Sequence, residues 1–206
     1  MRVGIVGGTG SFGRALARRL RDLGFDVAIG SRDVQRGWER GAELGVRGGS
    51  NYDAVRDADL VVLATKSNAA LDAARELADA IGDTPVLCVA SDLVFTDNGV
   101  LPGRVTRSLA EELARTIRAP VASGLQSVSA VELSRDEPLD QDALVCGDVP
   151  HAKELALELA GKLVSGRAID VGPLANSRAL EALTAVILNV NKQYKAHAGV
   201  RITGLP

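Results

Sequence analysis

The chain has 206 residues, for which one domain or one plus a small annex is expected, and its formal net charge of -2 with no block of lysines or arginines argues against a polyanionic partner such as nucleic acid. Hydrophobic residues supply 46% of it and charged residues 24%, the balance of a globular enzyme and not of a disordered chain. The opening apolar stretch, VGIVGG, is broken by glycines before it reaches signal-peptide length, and no run approaches the roughly 18 apolar residues of a membrane span, so a cytoplasmic protein with no membrane contact is expected.

In chain order, Arg2 to Val6 reads as a short buried strand. GGTGSFG then opens an amphipathic helix, Arg14 to Leu23, with Ala15, Leu16, Leu20 and Leu23 at helical spacing and Gly24 as its stop. Asp26 to Gly30 is a second strand, which completes a βαβ unit within about 30 residues and predicts a parallel sheet. The next helix, Asp33 to Leu44, is weakened by Gly37 and Gly41, and VRGGS after it reads as a loop. DADLVVLAT, TPVLCVAS and APVASGLQ read as further buried strands, separated by the amphipathic helices SNAALDAARELADAI and GRVTRSLAEELARTI. Cys88 and Cys146 lie inside apolar runs, where buried, reduced thiols are expected.

After Glu132 the pattern changes to a polar segment, SRDEPLDQD, a strand in ALVCGD, a helix from Pro150 to Leu163 and a short run, RAIDVGP. The last helix, Ala175 to Val190, is apolar over nearly its whole circumference in its second half, which predicts burial between layers or between subunits. The fold class is therefore α/β, a Rossmann-type doubly wound parallel sheet with a small C-terminal helical annex. Residues 1–140 are assigned to a dinucleotide-binding domain and 141–206 to a smaller substrate-capping and dimerisation region.

Gly8-Thr9-Gly10-Ser11-Phe12-Gly13 satisfies G-x-G-x-x-G between a strand and a helix. The first glycine makes the turn, the second admits a pyrophosphate to the backbone, and the third lets helix and strand approach. Where NAD-binding folds carry an Asp or Glu for the ribose 2′-hydroxyl, this chain has Gly30-Ser31-Arg32, with Arg36 one turn further on. A serine hydroxyl and two guanidinium groups suit a 2′-phosphate, so the nucleotide is read as NADP.

No proton-transfer residue or metal cluster stands out beside that site. His151 opens a helix far from the strand ends, and His197 lies in the tail. A Tyr-x-x-x-Lys pair is absent, because Tyr52 is followed by Arg56 and Tyr194 by Ala198. The expected catalytic set is therefore none, which suits an enzyme whose second substrate is itself a redox cofactor.

Beyond GGTGSFG and GSRD, the segments LVCGD, DVGPLANSRALEALTAVILNVN and YKAHAGVRITGL carry a resemblance that spans nearly the whole chain. On these the sequence resembles the F420-dependent NADP oxidoreductases. The resemblance implies hydride transfer between NADP(H) and the deazaflavin coenzyme F420 in a cytoplasmic homodimer. It places NADP on Thr9, Gly10, Ser11, Phe12, Ser31, Arg32 and Arg36, with further contacts at Ser67, Ser91 and Ala130. Gln126, Ser127 and Ser129 are candidates for the deazaflavin ring, and Lys192, Lys195 and Arg201 for its phosphate and glutamate tail. Two departures touch the ring pocket: Thr65-Lys66 stands where archaeal members carry Ile-Pro, and Gln126 where they carry His. The competing readings are an NADPH-dependent reductase of a small imine or carbonyl, with His197 or Lys66 as proton donor, and an NADP(H)-sensing module that turns nothing over.

Overall fold

Short runs of Val, Ile, Leu and small residues, buried on both faces, are what a central parallel strand requires. In the computed structural model, which describes residues 1–103 and 106–205, these runs form an eight-stranded sheet in the order β10-β9-β8-β5-β4-β1-β2-β3. Its parallel part comprises β1 (Arg2–Val6), β2 (Asp26–Ser31), β3 (Arg47–Ser50), β4 (Leu60–Leu63), β5 (Val86–Cys88) and β8 (Val121–Gly124). Chain direction across the sheet reverses between β1 and β4, and the crevice of a doubly wound fold opens there.

Alternate residues of each strand feed opposite layers. Val3, Ile5, Leu60, Val62 and Leu87 face α1 (Ser11–Asp22) and α8 (Pro150–Leu163). Val61, Leu63, Val86 and Cys88 face α4 (Ser67–Glu76), α5 (Ala78–Ile81) and α6 (Leu109–Thr116). The expected single helix at 67–81 is thus two, and the one expected over 103–117 is ordered as helix from Leu109, with residues 104 and 105 outside the described part. Two further short helices, α3 (Asn51–Val55) and α7 (Ala130–Leu133), follow β3 and β8. Ser50 and Asp53 start α3 with a reciprocal capping box.

The stretch VRGGS is a strand, not a loop, and its glycines explain why. Helix α2 (Val34–Leu44) lies directly on β3, so that a Cβ on Gly37 would stand 2.0 Å from Gly49 O and one on Gly41 2.6 Å from Gly48 Cα. Glycines that lower helix propensity are here the condition for two backbones to touch.

The sheet is also not wholly parallel. The chain between β8 and β9 (Ala143–Gly147) stays at the carboxyl edge instead of crossing the sheet, so β9 runs antiparallel to β8. Strand β10 (Ala168–Asp170) then pairs parallel with β9, and the C-terminal third adds strands to the sheet as well as helices. Between β5 and α6 lies an unexpected hairpin, β6 (Leu93–Thr96) and β7 (Gly99–Pro102), turned by Asp97-Asn98 before Gly99 at φ +131°.

A 3₁₀ turn (Leu174–Asn176) leads into α9 (Ser177–Tyr194), which covers β9 through Leu180 against Leu144 and Cys146. Asn189 on α9 holds the hairpin at both polar groups of Val100, accepting its N–H at 2.9 Å and donating to its carbonyl at 2.8 Å. The tail then returns to the start of β9, where Asp142 is buried. Asp142 accepts N–H groups from Arg167 and Ile202, both at 2.8 Å, and pairs with the Arg167 guanidinium at 3.2 Å.

These donors hold the Asp142 carboxyl down at about 2, below its ordinary 3.8. A depressed carboxylate contributes stability that is complete above the unfolded value and lost as pH falls from there toward the folded one. The tail is therefore expected to stay docked at pH 5 and to loosen between about pH 4 and 2. In Asp142→Asn, that acid-dependent step should vanish from thermal melts, with a lower melting temperature at pH 7; equal melts for both proteins at pH 7 would show that the tail does not depend on this carboxylate.

Candidate functional site

The turn between β1 and α1 is built for close backbone approach. Gly7 has φ +78°, and its N–H is braced by Asn51 Oδ1 at 3.4 Å. The Gly8 N–H donates to Gly30 O at 3.0 Å, and a Cβ on Gly8 would fall 2.5 Å from Ile29 Cβ. A Cβ on Gly13 would strike Gly7 O at 2.7 Å, so the first turn of α1 presses onto the loop that precedes it. Gly10 is the N-cap and brings no side chain to the first-turn N–H groups; with Ser11 it is exposed, Thr9 is half-buried, and Phe12 packs down against the core. An uncapped helix N-terminus reached by exposed backbone is suited to an anion.

At the end of β2, Ser31 is buried and its Oγ accepts the Asp33 N–H at 3.2 Å, which leaves the hydroxyl hydrogen to donate elsewhere. Asp33 turns its carboxylate onto the first turn of α2, where Oδ1 accepts the Arg36 N–H at 3.1 Å. Arg2, Arg18, Arg21, Arg40 and Arg47 in the same half are all ion-paired. Arg32 and Arg36 are exposed and have no acidic partner among the described residues. The arrangement offers one hydroxyl and two unpaired guanidinium groups at the strand end.

Across the crevice, Thr65, Lys66 and Ser67 follow β4. Ser67 is half-buried at the start of α4, Lys66 is exposed, and Thr65 Oγ1 is buried without a hydrogen-bond partner. After β5, Ser91 is half-buried and bonded to Thr184. After β8, Leu125 takes the left-handed conformation at φ +69° although it is a buried non-glycine residue. Strain of this kind costs about 1–3 kcal/mol and collects at functional sites. It folds Gln126 back beneath the strand ends, where Nε2 donates to Cys88 O at 3.1 Å and to Ser123 Oγ at 2.8 Å. Gln126 Oε1 is left buried and unpartnered. An orphaned hydroxyl after β4 and an orphaned amide oxygen after β8, on either side of β5, fit a bound polar group, because such atoms otherwise carry their full desolvation cost.

Ser127 is buried beside Gln126, whereas Ser129 is the N-cap of α7 and spends its oxygen on the Glu132 N–H at 3.1 Å. Ala130 opens that helix. Lys192 in the last turn of α9 and Lys195 at its C-cap are exposed without an acidic partner among the described residues, while Arg201 is ion-paired with Asp140. Because β9 runs backwards, its start, and the tail that meets it, lie at the carboxyl edge with the residues after β1, β2, β4, β5 and β8. His151 does not: it opens α8 after the far end of β9, at the opposite edge of the sheet. His197 is exposed in the tail. Burial pushes both thiols up to about 12, so neither is a nucleophile at neutral pH. Sequence patterning missed Thr184, Glu181 and Asn189, which are polar breaks in an apolar helix, and nothing in the sequence marked the backbone of Leu125.

The family model described as NADP oxidoreductase coenzyme F420-dependent matches residues 2–91. The F420-dependent NADP reductases of Methanothermobacter thermautotrophicus and Methanocaldococcus jannaschii are each 33% identical to this chain over its whole length, covering 96% and 99% of those proteins. A crystal structure of an Arthrobacter sp. FB24 protein assigned as an F420-dependent NADP-reductase superposes with a TM-score of 0.86 at 25% identity, over all of both chains.

A contact from a guanidinium to a phosphate contributes about 1.5–3 kcal/mol. Arg32→Ala is therefore expected to lower the preference for NADPH over NADH, read as the ratio of kcat/KM values, by about tenfold or more. An unchanged ratio would move the 2′-phosphate away from this strand end.

Proposed function

The chain belongs to the F420-dependent NADP oxidoreductase family, and on that premise we propose that it passes a hydride reversibly between NADP(H) and the deazaflavin coenzyme F420 in the crevice at the carboxyl edge. The observation that carries this reading is a strand-end cleft with a nucleotide cradle on one side, the orphaned Thr65 hydroxyl and Gln126 amide oxygen on the other, and no histidine within the strand-end loops. NADP(H) and F420 between them supply the hydride donor and acceptor carbons and take up the charge in their own rings. The protein's task is then to bind, align and shield. The glycine turn and the start of α1 hold the pyrophosphate, and Ser31, Arg32 and Arg36 hold the 2′-phosphate. The nicotinamide half is thereby directed across the switch point, over the ends of β4, β5 and β8, toward Ser67, Ser91 and Ala130.

Gln126 and Ser127 line the floor on which the deazaflavin stacks, with Ser129 at the rim. Lys192 and Lys195 are available to its phosphate and glutamate tail, and Arg201 would first have to leave Asp140. In this division residues 1–140 bind the dinucleotide, while 141–206 cap the second substrate and dimerise. An exposed apolar surface supports the dimer: Val186, Val190 and Tyr194 on α9 adjoin Val94, Phe95 and Leu101 on the hairpin that Asn189 ties to it. Two buried, unpaired cysteines support a reducing, cytoplasmic setting.

Mixing the protein with NADPH and oxidised F420 should bleach the visible deazaflavin absorbance; a protein that binds NADPH and leaves that absorbance unchanged overturns the reading. The imine or carbonyl reductase alternative needs a proton donor at the cleft, for which Lys66, exposed at the start of α4 after β4, is one candidate and His197 the other. Lys66→Met and His197→Ala should each keep the single-turnover rate of F420 reduction within about tenfold, since loss of a general acid would cost about a hundredfold to ten-thousandfold. A larger loss in either variant favours the alternative. Phe95→Glu should convert a dimer to monomers in sedimentation analysis, and a dimer that survives it lies on another face.

A further inference from the structure

Thr184 sits midway along α9 and reaches the ends of two strands at once. Its Oγ1 lies 2.8 Å from Ser91 Oγ, 3.1 Å from Gln126 O and 3.5 Å from Leu180 O. A threonine hydroxyl has one hydrogen to give, and carbonyl oxygens only accept. Leu180 O is already served by the helix's own N–H ladder, whereas Gln126 O has no other donor among the described residues. The threonine hydrogen therefore goes to Gln126 O, and the hydrogen between the two hydroxyls comes from Ser91. Ser91 is left with lone pairs alone.

We propose that Thr184 is a positioning residue that fixes Ser91 as a hydrogen-bond acceptor at the nicotinamide end of the cleft, so that the ring is selected by the N–H groups of its carboxamide. The inference rests on the reading above only in placing the nicotinamide half over β4, β5 and β8. Gln126, beside Ser91, has the same polarity: it has spent both amide hydrogens on Cys88 O and Ser123 Oγ, and its Oε1 stands unpartnered. A ligand group that brings hydrogens completes this end of the cleft. One that brings only a carbonyl leaves lone pair against lone pair, which is how a buried polar site rejects an analogue lacking a donor. Replacing the carboxamide by an acetyl group removes those hydrogens and little else in shape.

The test is the ratio of dissociation constants, by titration calorimetry, for NADP⁺ and for its 3-acetylpyridine analogue. The unmodified protein should favour the carboxamide by about tenfold, the equivalent of one hydrogen bond. In Thr184→Val the Ser91 hydroxyl is free to rotate and donate to the acetyl carbonyl, and the ratio should fall to about threefold or less. Thr184→Ser should restore it. Ser91→Ala should show the low ratio whichever residue occupies position 184, a non-additivity that a merely structural threonine does not produce. A ratio near one in the unmodified protein, an unchanged ratio in Thr184→Val, or no rescue by serine overturns the proposal. The ratio is read in binding and without F420, so a protein that kept it yet failed to reduce F420 would count for Thr184 and against the F420 reading.

Discussion

Three backbone segments at the centre of this protein are closer together than any side chain would allow. Gly8 lies against Ile29 at the end of β2, and Gly13 lies against the loop that begins at Gly7. One methyl group at either place demands a shift of backbone or of a buried β-branched side chain, and cores resist such overpacking at a cost of about 1–3 kcal/mol. From this contact follow the direction in which α1 leaves β1, the exposure of its first-turn N–H groups, and the short path from the glycine turn to Ser31. The same device recurs at the sheet edge, where Gly37 and Gly41 let α2 rest on the backbone of β3.

Much of the first half was legible because periodicity and punctuation agreed there. Apolar runs of four or five residues stood between amphipathic helices, and the glycine fingerprint lay at the boundary it requires. Pro150 and Leu163 were read correctly as the limits of α8, since proline at a first helical turn is a strong local signal. What escaped detection was decided by tertiary contact. The strand RGGS has almost no β propensity and exists because α2 packs on it. The direction of β9 depends on which side of the sheet the preceding polar segment takes, which no local pattern encodes. The hairpin was announced by Asp97-Asn98-Gly99 and was legible in principle.

The site divides along the same line. Ser31, Arg32 and Arg36 were readable because they sit at a fixed offset from the glycine motif. The β5 and β8 side was approached only through family resemblance, because its geometry comes from α9, about 60 to 90 residues further along the chain. Glu181 shows how α9 is fixed. It is a buried carboxylate at the N-terminus of α6, where it accepts the Ala110 N–H at 3.3 Å, and burial raises its pKa. Ser177, one turn earlier, meets the α6 N-cap Ser108 at 2.5 Å. A helix that appears from composition to be an apolar filler is placed by four polar side chains, at Ser177, Glu181, Thr184 and Asn189. The first two reach the start of α6, Thr184 the ends of β5 and β8, and Asn189 the hairpin.

The reversed direction of β9 also decides the handling of the two chain ends. Residue 1 enters the sheet at the amino edge, where Met1 O accepts the Asp26 N–H, while the tail after Asn191 finishes beside Asp142 at the carboxyl edge. Anything joined beyond residue 205 leaves the molecule on the same side as the cleft, and anything joined before residue 1 leaves it on the opposite side. Surface immobilisation, affinity purification or fusion to a cofactor-regenerating enzyme through the amino end therefore keeps the mouth of the cleft open. Attachment through the carboxyl end pulls on the tail that Asp142 pins to the start of β9.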